Sequence, residues 1–146
     1  TASFDYMFVF SKGKPKTVNL IADKKNRWAG TTNFGQKTDR DGNDMLVPVR
    51  KFKPIQEFSP RTNIWKYITG NGYSTEDKIA HQHPAIFPEQ LAYDHILTWT
   101  DEGDIVYDPF SGSGTVVKTA IKSNRKYIGS EIVEDYFKII KERLNQ

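Results

Sequence analysis

The last sixty or so residues predict an α/β fold with a parallel sheet, because helical and strand patterns alternate there as α-β-α-β-α. Two further observations support this prediction. A turn with glycine at positions 112 and 114 separates an apolar strand from a helix, and an acid, Glu131, follows the next strand. This arrangement of strand, glycine turn, helix and acid is typical of a nucleotide-cofactor site.

The first half of the chain predicts little regular structure. Residues 4–10 are aromatic and β-prone, so we expect a strand that begins almost at residue 1. From Ser11 to about Pro60 the sequence is rich in Lys, Asn, Gly, Asp and Pro, which predicts a long loop-rich insertion with a short strand at 45–49. A stretch of this length without regular structure is usually functional or disordered.

The second half predicts each element in turn. Pro88 and Glu89 suit the first turn of a helix that runs to about Thr98. A strand over 104–108 and a helix over 115–123 follow, and then a strand over 126–132 and a helix over 133–144. In the last two helices the residues predicted to face inward are Val116, Val117, Ala120 and Ile121, then Tyr136, Phe137, Ile140 and Leu144.

Composition excludes several classes of protein. The 146 residues suit one domain or part of one, and they contain no cysteine, so no disulfide framework or thiolate metal site is possible. No apolar run is long enough for a membrane span, and a reducing cytoplasm is the expected location. We expect no metal, because His81 and His83 have no convincing third ligand near them.

The net charge of +3 conceals an asymmetry. Residues 1–70 carry a net charge of +7, whereas residues 71–146 carry −4. A basic half joined to an acidic half indicates that one part meets a polyanion, although a solvated basic surface would have the same composition.

The glycine turn has the chemistry of a ligand site. Gly112 and Gly114 lack a Cβ where the backbone must approach a ligand, and the amides at the start of the next helix point toward that ligand. Thr115 can cap this helix, and Asp108 can order the turn or accept from a ligand amine. Glu131 can accept hydrogen bonds from both hydroxyls of a ribose. A turn that serves only tight packing is the alternative.

Two common nucleotide motifs do not fit this turn. A dinucleotide fingerprint requires a third glycine where Val117 stands, and a P-loop requires a lysine directly after the last glycine, where Thr115 stands. The details favour S-adenosylmethionine instead.

The segment 108–115, Asp-Pro-Phe-Ser-Gly-Ser-Gly-Thr, resembles motif I of the DNA methyltransferases that methylate exocyclic amines. Residues 127–131 resemble their motif II, residues 83–91 their motif X and residues 4–12 the strand of their motif VIII. The order of these segments is similar to that of the permuted beta class. The resemblance implies a partial Rossmann-like S-adenosylmethionine-dependent methyltransferase fold with a long loop-rich insertion.

The resemblance also implies roles. Residues 1–12 would be a strand of the catalytic domain, 13–80 a basic target recognition region, and 81–146 the cofactor-binding part. Phe110, Gly112 and Gly114 would line the methionine side of S-adenosylmethionine, and Glu131 would hold its ribose. The full set of expected cofactor-binding residues is Asp108, Pro109, Phe110, Ser111, Gly112, Gly114, Thr115, Glu131, His83, Pro84 and Phe87. The residues expected to bind DNA are Lys24, Lys25, Arg27, Lys37 and Arg40.

One departure from the family's pattern is serious. Its catalytic motif, a polar residue followed by Pro-Pro and an aromatic, stacks on and polarises the flipped base, and no Pro-Pro occurs in this sequence. We therefore expect a bacterial or phage-encoded C-terminal portion that is inactive alone, with its catalytic residues upstream of Thr1 or on a second chain. A noncatalytic nucleic-acid-binding module and a methyltransferase for RNA or small molecules remain alternatives. We further expect apolar surface left exposed, pairing with another chain, or a rearranged fold.

Overall fold

A computed structural model describes residues 4–32, 41, 53–70 and 72–145. The chain forms two compact units, one of residues 20–65 and one that joins residues 1–19 to residues 66–146. The strands are β1 (Ala22–Lys25), β2 (Phe58–Pro60), β3 (Ile105–Asp108) and β4 (Lys126–Gly129). The helices are α1 (Glu89–Trp99), α2 (Thr115–Lys122) and α3 (Glu134–Leu144), and a 3₁₀ helix spans Lys78–Gln82.

The larger unit contains the parallel pair β3 and β4, and α2 connects the two strands. Their register pairs Ile105 with Lys126 and Asp108 with Gly129. Parallel neighbours require such a crossover, and a helix is its usual form. The α/β prediction is confirmed. The second strand is shorter than expected, because the ladder ends at Gly129, where the chain bends toward the glycine turn and Ser111 N–H donates to Ser130 O at 2.9 Å.

The apolar core lies between the helices and one face of this sheet. Its buried apolar members come from the 3₁₀ helix and all three α-helices, and they are Ala80, Ala92, Ile96, Val117, Ala120, Ile139 and Ile140. Two inward predictions are wrong: Ile121 of α2 is 45% exposed and Phe137 of α3 is 43% exposed. On α3, Arg143 is buried instead.

The opposite face of the sheet is bare in the described part of the chain. Ile105, Tyr107 and Ile128 share this face because side chains alternate along a strand and Tyr107 is paired with Ile128. Each of the three is more than half exposed. The expectation of exposed apolar surface is therefore confirmed, and such a patch marks a surface that normally has a partner.

Residues 4–10 do not form the expected hydrogen-bonded strand. The rings of Phe4, Tyr6, Phe8 and Phe10 follow one another at alternate positions, with centroids 4.9, 6.2 and 6.3 Å apart. This spacing is that of an extended backbone, but the backbone has no neighbouring strand among the described residues. Local β propensity alone does not make a strand, because the ladder requires a partner.

The smaller unit contains a feature that the sequence did not predict. β1 and β2 pair in antiparallel fashion, Lys25 with Phe58, and a bulge lies between Ala22 and Lys24. The pairing continues past the strands, since Asn26 N–H donates to Glu57 O at 2.8 Å and Gly30 N–H to Ile55 O at 2.9 Å. The short strand expected at 45–49 lies outside the described residues.

None of the helices in the described ranges is both long and apolar enough to span a bilayer.

Candidate functional site

The glycine turn joins the end of β3 to the start of α2. Gly112 and Gly114 have φ values of 51° and 81°, in the left-handed region that side-chain-bearing residues avoid. Gly114 N–H donates to Ser111 O at 2.6 Å, which closes the turn. The Asp108 carboxylate accepts from Phe110 N–H at 3.0 Å. Asp108 therefore orders the turn, which was one of its two expected roles.

Thr115 does not cap α2 as expected. Gly114 occupies the N-cap position, and no side chain accepts a capping hydrogen bond there. Thr115 is already the first helical residue, so its hydroxyl cannot reach back to the free amides. That hydroxyl lies 3.4 Å from Ser113 Oγ and 3.4 Å from Arg143 Nη1. Thr115 therefore belongs to the interior side of the turn.

Glu131 lies beside the glycine turn, two residues past the end of β4. Its Oε2 accepts from Gly112 N–H at 2.7 Å and its Oε1 from Val133 N–H at 2.9 Å. The bonds from Val133 and Gly112 lower the pKa of Glu131, so the side chain remains a carboxylate. A carboxylate oxygen has a second lone pair. Both oxygens can thus accept a further donor from a ligand.

His83 packs against the same turn. A Cβ at position 112 would lie 3.2 Å from His83 Nε2, so the imidazole occupies the space that a larger residue would need. Its Nδ1 accepts from Ala85 N–H at 3.1 Å, and its ring centroid is 4.3 Å from that of Tyr136. The structure thus brings three expected site residues together: His83, Gly112 and Glu131.

Other expected cofactor residues are distributed around this group. The Phe110 side chain is 86% exposed at the tip of the turn, whereas Ser111 is buried. Ser111 and Glu131 share the lining of a cavity of about 300 Å³ with residues of β4 and α3. Pro109 and Pro84 are exposed neighbours of the turn and of His83. Phe87 lines a different cavity, of about 430 Å³, whose mostly apolar walls come from α1, β3 and α2 together with Met7 and Thr100.

A buried ionic cluster beneath the turn was not predicted. It contains Arg143, Lys118, Asp77 and Glu89, and the Arg143 side chain is fully buried. The only sequence signal for the burial of Arg143 was its spacing. Arg143 follows Ile140 by three residues and Ile139 by four, which places it on the buried face of α3. Arginine at such a position is ordinarily assumed to be solvated.

Three of the expected DNA-binding residues are among the residues that the structure describes, and all three belong to the smaller unit. Lys24, Lys25 and Arg27 are exposed, and the Arg27 guanidinium lies 5.3 Å from the Trp28 ring centroid. Lys37 and Arg40 lie outside the described residues. Arg61 pairs with Asp23 and lies over Trp65 at 5.1 Å, which indicates a structural role for these two residues.

A strand, a left-handed glycine turn, a helix and an acid held at that turn define a nucleotide-cofactor-binding α/β domain. Comparison with known proteins specifies the family. A family model described as DNA methylase matches residues 1–142, and the chain belongs to that family.

Two relatives illustrate the match. The orphan methyltransferase M.BamHII of Bacillus amyloliquefaciens is 55% identical over 141 residues, which cover 97% of this chain and 53% of that protein. The DNA adenine methyltransferase YhdJ of Escherichia coli is 48% identical over 103 residues, which cover 68% of this chain and 34% of that protein. The chain therefore spans about half or less of the length of these relatives.

Among solved structures, the crystal structure of the M1.HpyAVI–SAM complex is 39% identical and matches with a TM-score of 0.42. The match covers 42% of this chain and 32% of that one. A cytosine-N4-specific PvuII DNA methyltransferase matches with a TM-score of 0.38 at 25% identity, over 49% of this chain and 34% of that one.

Proposed function

We propose that this chain is the cofactor-binding and target-recognition part of a site-specific DNA methyltransferase. The enzyme would transfer a methyl group from S-adenosylmethionine to the N6 amine of adenine or the N4 amine of cytosine, within a restriction-modification or related bacterial system. The observation that carries the proposal is the hydrogen bond from Gly112 N–H to the Glu131 carboxylate at 2.7 Å, which joins the glycine turn to the acid that follows β4. Family membership supports it independently.

The residues present suit the cofactor. Glu131 would accept the two ribose hydroxyls with its remaining lone pairs, and its lowered pKa keeps it an acceptor. The bare Gly112 backbone, with His83 against it, would admit the methionine end, and Phe110 and Pro84 would cover it. Asp108, Pro109, Ser111 and Thr115 would maintain the turn, and Phe87 would support α1 behind it. When bound, S-adenosylmethionine supplies an electrophilic methyl group to the target amine.

The groups that hold the flipped base would come from outside this sequence. They require a polar residue, a proline carbonyl and an aromatic, and the sequence contains no Pro-Pro. The exposed sheet face at Ile105, Tyr107 and Ile128 is an argument for an additional polypeptide segment that covers it, either from a longer chain or from a second chain. Co-expression with such a segment should yield methylation of duplex DNA, whereas this chain alone should yield none. Turnover by this chain alone would refute this assignment.

DNA is the proposed partner of the basic residues. Lys24, Lys25 and Arg27 are exposed cations that suit phosphate oxygens, and Lys37 and Arg40 are assigned to the same role from sequence. Phosphate contacts position a protein without reading sequence, so the recognition site is not specified by them. With DNA as the proposed substrate, we also propose a location in the bacterial cytoplasm.

Calorimetric titration with S-adenosylmethionine tests the cofactor assignment. E131A should weaken binding at least about tenfold, because each hydrogen bond to a charged group contributes about 1.5–3 kcal/mol. Glu134 is a matched control on the same segment, since its side chain is exposed and its ion pair with Lys138 spans 3.7 Å. E134A should bind like the wild type. Absence of heat with the wild type, or equal binding by E131A, would favour a noncatalytic module with a remnant fold.

A further inference from the structure

From one buried position, Arg143 contacts three other parts of the larger unit. Its Nε donates to Asp77 Oδ2 at 2.9 Å and its Nη2 to Glu89 Oε1 at 2.6 Å. Its Nη1 donates to the backbone carbonyl of Ser113 at 2.6 Å. The guanidinium thus joins α3 to the 3₁₀ helix entry, to the start of α1 and to the glycine turn.

The charges of this cluster compensate one another. Two largely buried cations, Arg143 and Lys118, face two carboxylates, Asp77 and Glu89. The exposed Lys122 adds a longer ion pair to Glu89 at 3.7 Å. Burial by itself would raise the pKa of Asp77, but the hydrogen bonds from Lys118 and Arg143 outweigh it and lower that pKa. Burial likewise opposes ionisation of Glu89, and the bonds from Thr75 and Lys118 outweigh it there. Both acids therefore remain ionised and hold the guanidinium in place.

The Ser113 carbonyl distinguishes Arg143 from Lys118. The helical hydrogen-bond ladder of α2 begins with Gly114 O, which accepts from Lys118 N–H at 2.9 Å. Ser113 O precedes this ladder, and Ser113 is buried, so the carbonyl requires another donor. Arg143 provides that donor. Because the Ser113 carbonyl and the Gly114 N–H belong to one peptide plane, fixing the carbonyl fixes the entry into the left-handed Gly114.

We propose that Arg143 is a positioning residue for the cofactor turn, acting through its bond to the Ser113 carbonyl. The proposal rests on the proposed function of that turn and concerns a residue whose side chain is fully buried. Lys118 also pairs with Asp77 and Glu89, so we expect it to contribute to overall stability and not to the position of the Ser113 carbonyl. A lysine at 143 would keep the charge, yet it lacks the planar set of donors that serves two carboxylates and a carbonyl together.

Amide hydrogen exchange and cofactor binding on the full chain test the proposal. R143K should raise exchange of the Gly114 amide at least about tenfold relative to the amides of β3 and β4, and should raise the Kd for S-adenosylmethionine at least about tenfold. K118Q should lower overall stability without changing the ratio of turn to strand exchange. K138Q, which removes an exposed cation of α3 paired with Asp135 at 2.9 Å, should change neither quantity.

The outcomes separate the hypotheses. If R143K leaves both the exchange ratio and the Kd within about twofold of the wild type, or K118Q changes the ratio as much as R143K, the positioning role is refuted. If R143K does not fold, D77N loosens the guanidinium without removing it, and an unchanged turn in D77N would equally refute the role. If the wild type binds no S-adenosylmethionine, the proposed function fails, whereas the exchange ratio still decides the assignment of Arg143.

Discussion

Alanine at position 114 should be far more costly than alanine at position 103, although the two glycines have the same backbone conformation. Their φ values are 81° and 82°. Each substitution places a side chain in the left-handed region, at a cost of about 1–2 kcal/mol. A Cβ at 103 would meet no atom within 4 Å, whereas a Cβ at 114 would lie 3.0 Å from Ile140 Cγ1. G103A is therefore a control for backbone strain alone.

The additional cost at position 114 follows from packing. Carbon atoms in contact prefer about 3.5–4.0 Å, and Ile140 is buried in α3, so the helix must shift or the side chain must leave its rotamer. Overpacking of this kind costs about 1–3 kcal/mol. Urea unfolding followed by circular dichroism should therefore show G114A less stable than G103A by that amount.

A double-mutant cycle identifies the side chain responsible. In an I140A background the extra cost of G114A should fall toward that of G103A, with a coupling of about 0.5–3 kcal/mol. If G114A and G103A differ by less than about 0.5 kcal/mol, or if I140A does not reduce the difference, the turn does not pack on α3 as described here.

Three further predictions concern the site and its partner. The folded-state pKa of Glu131 lies below its usual 4.5, so its carboxylate stabilises the fold above that pH and loses this effect as the pH falls through the folded value. The stability of the wild type should therefore drop more than that of E131Q between pH 6 and 3. Parallel stability curves would contradict the two hydrogen bonds from backbone amides to Glu131. F110A should change the free energy of unfolding by less than about 0.5 kcal/mol, because the Phe110 ring is exposed. The same substitution should measurably weaken the binding of S-adenosylmethionine. A large loss of stability would contradict the exposed position of the Phe110 ring. The affinity for duplex DNA should fall as the salt concentration rises. The slope of log affinity against log salt concentration should become shallower by roughly 0.9 for each phosphate contact removed in K24Q or K25Q. An affinity independent of salt would exclude an interface based on phosphate contacts.

The elements of the second half were predictable because their signals are local. Pro88 and Glu89 mark the start of α1, the apolar run marks β3, and Gly112 and Gly114 mark a turn that requires positive φ. The proximity of Glu131 to the turn was also predictable, since the carboxyl ends of parallel strands meet at one edge of the sheet. The prediction that Thr115 caps α2 was wrong by one residue, because Gly114 is the N-cap, and helix ends are usually uncertain by about that much.

Pairing between distant segments was not predictable. β1 is mostly polar and β2 contains a proline. The two strands pair Lys25 with Phe58 in a backbone ladder, and such a ladder leaves no pattern in the side chains. Arg143 was missed for a related reason, since its carboxylate partners Asp77 and Glu89 lie 66 and 54 residues away. A buried cation is recognisable only when the acids that neutralise it are known.

The unformed strand at 4–10 and the bare sheet face have one physical cause. Aromatic and β-branched side chains confer β propensity because they pack well on a pleated surface, and not because they prefer an isolated extended backbone. Phe4 to Phe10 have such side chains but no adjoining strand in the described ranges, whereas β3 has one strand neighbour and Tyr107 remains 62% exposed. Two strands with one covered face are marginal in water. Both features therefore favour a larger sheet in which an additional segment supplies strands and covers Ile105, Tyr107 and Ile128, and in that sheet the exposure of these three side chains should fall together.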